Sequence, residues 1–308
     1  MVSNLSPQSQ YFLADINNVQ QMISAASREI SSGKQVTQAS DAPDVVSELL
    51  QLRTAEQKNS QITSNLTLAQ SDANVAESAL SSATQLMDRA VTLATQGATA
   101  TTDATGRQSL AGEVESILDE MVSYSQTQSA GRYVFSGDQD AAASYRVNLG
   151  NPNGVDRLIT PTATRQVENP AGGTFTVSET AQTIFDDRNA DDSLASDNVF
   201  AAVNGLRTAL LNNDQAAVSE SITSLHQASD HLNVCLAFYG DVQNRIRDAS
   251  NFAANYEVQL KTQISQKEDA DVAAASLELS EGTAQIQAAY AMEARIPRTT
   301  LFDFLTTG

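Results

Sequence analysis

Residues 62–94 read Ile62-Thr-Ser-Asn-Leu66-Thr-Leu-Ala69-Gln-Ser-Asp-Ala73-Asn-Val-Ala76-Glu-Ser-Ala-Leu80-Ser-Ser-Ala83-Thr-Gln-Leu-Met87-Asp-Arg-Ala90-Val-Thr-Leu-Ala94. Within this stretch Ile62, Leu66, Ala69, Ala73, Ala76, Leu80, Ala83, Met87, Ala90 and Ala94 recur at strictly alternating intervals of four and three. That spacing keeps apolar side chains on one narrow stripe of a helix, the seam by which it packs lengthwise on another helix. It predicts one helix from Asp44 to about Gln96 and a fold assembled from long paired helices.

The same spacing appears on both sides. Phe12, Ile16, Val19, Ile23, Ala26 and Ile30 form a stripe near the N-terminus, closed by Ser31-Ser-Gly33, with Pro43 as the next helix start. After a turn over Gly97–Gly106, Leu110, Val114, Ile117, Met121 and Tyr124 mark a third helix that ends by Gly131 and pairs with its neighbour as a hairpin. A further helix carries Phe200, Val203, Leu206 and Leu210, and Asn212-Asn-Asp214 breaks it. Asp197 and Asp214 are the expected N-caps. From Gln215 to Lys267 the register runs through Val218, Leu225, Leu232, Tyr239, Ile246, Ala253 and Leu260, for roughly 75 Å of helix. Ser229, Gln243, Ser250 and Glu257 in that register predict a seam that loosens locally. The last helix repeats the spacing with Val272, Ala275, Leu279, Gly282, Ile286, Ala289 and Ile296.

Only the middle changes period. Tyr145–Leu149, Arg157–Ile159 and Thr174–Val177 are short β-prone pieces between turns at Asn151-Pro-Asn-Gly154 and Asn169-Pro-Ala-Gly-Gly173. The fold class is thus mainly α. A long antiparallel rod or coiled coil forms from the N- and C-terminal segments, and a small β-containing domain is inserted in it. The expected divisions are 1–42 for an N-terminal coiled-coil helix, 43–137 and 196–268 for the two halves of a helical rod, 138–195 for an exposed insertion, and 269–308 for a C-terminal coiled-coil helix.

Composition narrows the function. Thirty-seven acidic residues against 18 Lys and Arg leave a net charge of −19 across 308 residues, which argues against a nucleic-acid or anionic-membrane surface. No stretch approaches the roughly 18 apolar residues of a membrane span, and the first ten residues lack the basic and apolar regions of a secretory signal. Cys235 is the single cysteine, so no intramolecular disulfide framework is available.

The chemical candidates are few. His226 and His231, five apart, do not share a helix face; His231 and Cys235 do, but two ligands without a third are read as packing. Asp186, Asp187, Asp191 and Asp192 lack the Gly and terminal Glu of a calcium loop and are read as a solvated acidic segment. No Gly-x-Ser-x-Gly elbow is present, and Gly172-Gly173 is not followed by Lys-Ser/Thr. Tyr133 and Phe135 are read as a hydrophobic plug where the third helix meets the insertion. The expectation is no enzyme, no metal and no cofactor.

Two motifs carry a resemblance. Arg28-Glu-Ile-Ser-Ser-Gly-Lys34 followed by Ala39-Ser-Asp-Ala-Pro43, and Asp269-Ala-Asp-Val-Ala with Leu277, Gln285, Ile286 and Ala289, are similar to the N- and C-terminal signatures of the flagellin-like axial proteins of the bacterial flagellum. Gly131-Arg-Tyr-Val-Phe-Ser-Gly137 and the ending Leu301-Phe-Asp-Phe-Leu305 resemble the hook-associated branch of that family, as does Pro43. Ala42 departs from it, a second Asp being common there.

The resemblance implies a structural subunit at the hook–filament junction that templates flagellin polymerisation, in the extracellular flagellum. It implies export through the flagellar type III apparatus without a cleaved signal. Its implied partners are copies of itself in a ring, a neighbouring hook-associated protein, flagellin and an export chaperone. The expected assembly interface comprises Phe12, Ile16, Val19, Ile23, Ile30, Leu279, Ile286, Ala289, Ile296, Leu301, Phe302 and Leu305. The alternatives are flagellin itself, or a secreted enzyme or binding domain carried on a flagellin-like stem.

Overall fold

The computed structural model describes residues 7–38 and 41–294 and is 70% helical. The helices are α1 (Pro7–Ser32), α2 (Pro43–Ala98), α3 (Ala104–Ser125), α4 (Ala181–Phe185), α5 (Val199–Leu211), α6 (Gln215–Glu268) and α7 (Val272–Glu293). The chain divides into a terminal unit, up to Gln57 and from Glu257, and a central unit, Lys58–Tyr256, with α2 and α6 contributing to both.

In the central unit α2 and α6 run antiparallel. The Asn59 side-chain amide donates to the Ala253 carbonyl at 2.9 Å, Gln243 Nε2 to Glu77 Oε2 at 2.6 Å, and Gln215 Nε2 to the Ala98 carbonyl at 2.7 Å. Each step forward on α2 is a step back on α6. The ten-residue seam on α2 is buried throughout, and the spacing extends it by one position at each end, to Asn59 and Gly97. Helix α3 starts at Asp103, whose side chain accepts from the Gly106 amide at 2.7 Å, and folds back on α2, where Arg89 pairs with Glu113 at 2.7 Å. Helix α5 lies on α3, and there Arg207 meets Glu115 at 2.8 Å.

Up to Ala253 the seam on α6 does not loosen; at Glu257 it does, as expected, since Tyr256 and Glu257 are both only half-buried. Ser229, Gln243 and Ser250 stand half-buried at its edge, and the positions that complete it are one residue earlier: Ala228, Cys235, Val242 and Ala249, none more than 3% exposed. The stripe is wider than a two-residue repeat, and at each such pair the small or apolar neighbour goes inward. The cap of α5 also differs from expectation. Asn198, not Asp197, accepts from the Ala201 amide at 2.9 Å, while Asp214 caps α6 by accepting from Ala217 at 3.0 Å.

Between α3 and α4 lie three separate two-stranded antiparallel hairpins. The first, β1 (Gln128–Ser129) with β2 (Arg132–Tyr133), turns on Ala130 and Gly131, both at positive φ, and is too short to show as an alternating pattern. In the second, β3 (Tyr145–Val147) pairs with β4 (Val155–Arg157), so the strand expected at 157–159 lies two residues earlier. The third pairs β5 (Gln166–Glu168) with β6 (Thr174–Thr176).

These hairpins share one core with the helices. Phe135, fully buried, meets Phe185 at 6.0 Å and Tyr239 at 6.2 Å between ring centroids; Phe185 stacks on Phe200 at 5.7 Å, and Tyr145 meets Phe200 edge-on at 5.2 Å. In a chain poor in aromatics, the five fully buried rings among the described residues gather here.

Asp186 corrects the reading of a solvated acidic run. It is fully buried, and its carboxylate accepts from Asn153 Nδ2 and Asn198 Nδ2 at 2.9 Å, from Arg188 Nε at 3.0 Å and from the Tyr145 hydroxyl at 3.2 Å. Asp191 and Asp192 are exposed and Asp187 is half-buried. A buried carboxylate is tolerated because its oxygens are fully partnered, by Tyr145 and Asn153 of the insertion, by Arg188 two residues on and by Asn198 at the start of α5.

Candidate assembly interface

In the terminal unit α1 packs antiparallel against α7. Ile16 and Ala26 are buried, and Phe12, Val19, Ile23 and Ile30 half-buried, so the whole α1 stripe turns away from solvent. On α7, Ala275 and Gly282 are buried and Leu279, Ile286 and Ala289 half-buried. The helices approach closely at Gly282, where a Cβ would stand 2.7 Å from Ile23 Cγ1. Glycine is required there for space.

Eight of the expected interface residues thus meet each other within one chain. Ile296, Leu301, Phe302 and Leu305 lie outside the described residues. Val272, expected in the α7 stripe, is 46% exposed, because it sits on the flank of the first turn.

A second stripe on α7 escaped the sequence reading. Ala274, Leu277, Glu281, Ala284, Ala288 and Ala291 recur at intervals of 3, 4, 3, 4 and 3 on a face away from α1, and all six are exposed. Helix α7 carries three Glu and no cation. Its circumference is largely apolar, a pattern that belongs to helices covered on more than one side. The signal was present in the sequence, but alanine is too weakly hydrophobic to draw attention when a stronger stripe runs beside it.

The two signature motifs meet at the base of this helix pair. Gly33, at φ +70°, turns the chain out of α1. The Gln35 amide then donates to the Glu268 carbonyl at 2.8 Å, and the Ala270 amide to the Gly33 carbonyl at 3.0 Å. The Glu268 carboxylate, 4% exposed, is held by Lys34 and by Arg53, the latter at 2.8 Å. Asp41 Oδ2 accepts from the Gln38 amide at 2.7 Å and the Thr37 amide at 3.0 Å, and these bonds hold its carboxyl below the usual aspartate range. Asp271 caps α7 by accepting from Ala273 and Ala274 at 3.0 Å. The Ser-Ser-Gly-Lys and Asp-Ala-Asp-Val segments are therefore turn and cap chemistry for one joint. Glu268 itself was not legible, since nothing local distinguishes it from any helix-terminal glutamate.

The chemical candidates resolve into packing. Cys235 is a seam residue, and burial first, then the nearby Glu179 carboxylate, pushes its thiol up to about 12. His231 contacts the Thr183 carbonyl and Asp197. Among the described residues no group of three or more His, Cys, Asp or Glu side chains is placed to hold a metal ion, and no helix is long and apolar enough to cross a membrane.

Paired terminal helices joined through capped turns to two long antiparallel helices, with the inserted domain between, define an axial protein of the flagellin class, and the chain belongs to that family. The bacterial flagellin N-terminal helical region matches residues 2–140 and the C-terminal helical region matches residues 222–305, together more than half of the chain. Within the family the chain is similar to flagellar hook-associated protein 3. It is 25% identical to that of Salmonella typhimurium over 276 residues, 84% of this chain and 85% of that one. It is 27% identical to that of Escherichia coli over 251 residues, 79% and 74% of the two chains. The flagellar junction protein FlgL of Legionella pneumophila shares the fold, with a TM-score of 0.55 at 14% identity over 71% of this chain and 99% of that one.

Proposed function

We propose that this chain is a non-enzymatic structural subunit of the bacterial flagellum that forms a ring at the hook–filament junction and offers flagellin a surface on which to polymerise. The observation that carries the reading is the distribution of exposed apolar surface. The terminal unit holds less than a third of the described residues, yet nine of their fourteen exposed large apolar side chains, including Tyr11, Leu277, Tyr290 and Met292. A monomer gains nothing from that surface, whereas a neighbouring copy would cover it. The α1 stripe supports the reading indirectly, because it is used up against α7 and leaves the second α7 stripe for contacts between copies. The names of the relatives support the place proposed, and the flagellar type III route and an export chaperone belong to the same proposal.

The test is a clean deletion, scored by electron microscopy of the cell surface and by immunoblot of flagellin in the medium. Bare hooks with flagellin shed into the medium support the junction role. Hooks without shed flagellin identify the filament subunit instead, and intact filaments overturn both.

A further inference from the structure

We infer that a groove between the β5–β6 hairpin and α6, headed by Arg245, receives a carboxylate side chain from a second copy of this chain; the inference rests on the ring of copies proposed above. Most cations are committed within the chain. Among the described residues, twelve of the sixteen Lys and Arg side chains pair with an acid of their own chain. Of the other four, Arg107 donates to the Gly97 and Thr99 carbonyls and to Asn213, Arg247 donates to Asn244, and the charge of Arg28 reaches Asp41. Arg245, exposed on α6, meets no acceptor; its guanidinium carbon lies over the Phe175 ring, 4.7 Å from the ring centroid.

The hairpin builds this stack. Gly172 and Gly173, at φ +106° and +80°, turn β5 into β6 and place Phe175, 6% exposed, beneath Arg245. An aromatic face attracts the charge but supplies no oxygen, so the five N–H donors of the guanidinium stay available. The groove beside it, about 310 Å³, is also lined by Asn169, Asp248 and Phe252. The Asn169 side-chain oxygen accepts from the Ala171 amide at 3.0 Å, and its NH2 meets no acceptor among the described residues. Phe252 is half exposed and lies 6.3 Å from Tyr256 between ring centroids, so an apolar rim borders the donors. Arginine beside aromatic surface is the composition of a binding hot spot.

These donors require an anion, and the chain has acids in surplus. Copies that each carry a net charge of −19 repel one another at close quarters. An arginine kept clear of its own acids gives each copy a point at which a neighbour's carboxylate is attracted instead. Asp248 supplies the sign test. It lines the same groove without an ion pair to Arg245, so it opposes an incoming carboxylate and would favour an incoming cation.

A benzophenone amino acid in place of Phe252 in the full chain, irradiated in assembled flagella, tests this. The expected product in the sheared fraction is an adduct of two copies, whose partner peptide contains Asp or Glu. Arg245→Gln should lower its yield about tenfold, the scale of one charge-assisted hydrogen bond, and Asp248→Asn should raise it. An adduct with flagellin or another protein, a yield indifferent to Arg245→Gln, or a fall in Asp248→Asn overturns the inference while leaving the junction role standing. Absence of the chain from sheared flagella overturns the proposed function and this inference with it.

Discussion

Arg53, on the second helix, lies 2.8 Å from the carboxylate of Glu268, the last residue of the sixth, and Lys34 reaches the same carboxylate from the turn after the first. One buried acid therefore ties three segments far apart in sequence. Burial works to raise its carboxyl, but Lys34 and Arg53 together outweigh burial and hold it below the usual glutamate range. A carboxyl lowered in the folded state stabilises above its unfolded value, near 4.3, and that contribution is lost as pH falls through the lower folded value. Exchange of the Gln35 amide should accelerate on acidification below about pH 4. Glu268→Gln should cost about 1–2 kcal/mol at neutral pH, modest because both cations are half exposed. Unaltered Gln35 protection in that variant would show the carboxylate to be a bystander.

Ile23→Asp places a charge against Gly282 and the α7 stripe. The α1–α7 pair should separate at a cost of about 2 kcal/mol or more, while the central unit keeps its own melting transition. Incorporation into flagella should be abolished. Circular dichroism melts and the composition of sheared flagella check the two halves of this expectation, and normal filaments in the variant would refute the assembly reading.

Leu277→Glu acts on the exposed α7 stripe. Because Leu277 is 60% exposed, stability should change by less than about 0.5 kcal/mol. Loss of incorporation with an unaltered melt is the expected result. Normal assembly would move the contact between copies elsewhere.

Asp186→Ala should be among the most damaging single changes in the central unit. It leaves Arg188 without its buried partner and breaks the bonds from Asn153, Asn198 and Tyr145, a loss of about 3–5 kcal/mol. Urea unfolding provides the measure. A loss under about 1 kcal/mol would mean that water replaces the carboxylate.

Cys235 should resist thiol reagents in the native protein, since burial keeps the thiol protonated with a value of about 12. Dithionitrobenzoate should react fully only in denaturant. Rapid native labelling would show that the α6 seam opens at this point.

Deletion of residues 138–195 removes Tyr145, Val155, Phe175, Val177, Ile184 and Phe185 from the shared core. Such a deletion tests the integrity of the central unit as much as any role of the insertion, and point changes at its surface are the sharper probes.

What the sequence determined alone is the set of long-range regularities. A four-and-three alternation sustained over ten positions on α2, and over six on α1, leaves a helix with one buried stripe as the only repeating structure that uses it. Glycine at position 33 and proline at 43 punctuate the chain whatever surrounds them. Tertiary structure decided everything that depends on a neighbour. Between Ser229 and Ala228, or Gln243 and Val242, the choice of inward position rests on which side of the stripe α2 approaches, and adjacent residues on a helix differ too little in direction for spacing to settle it. Asp186 reads as a solvated aspartate until Asn153, Arg188, Asn198 and Tyr145 converge on it from elsewhere in the chain. Glu268 becomes a joint only because Lys34 and Arg53 arrive beside it. Burial and partnership are properties of the packed chain, so a charge's role emerges only when distant segments meet.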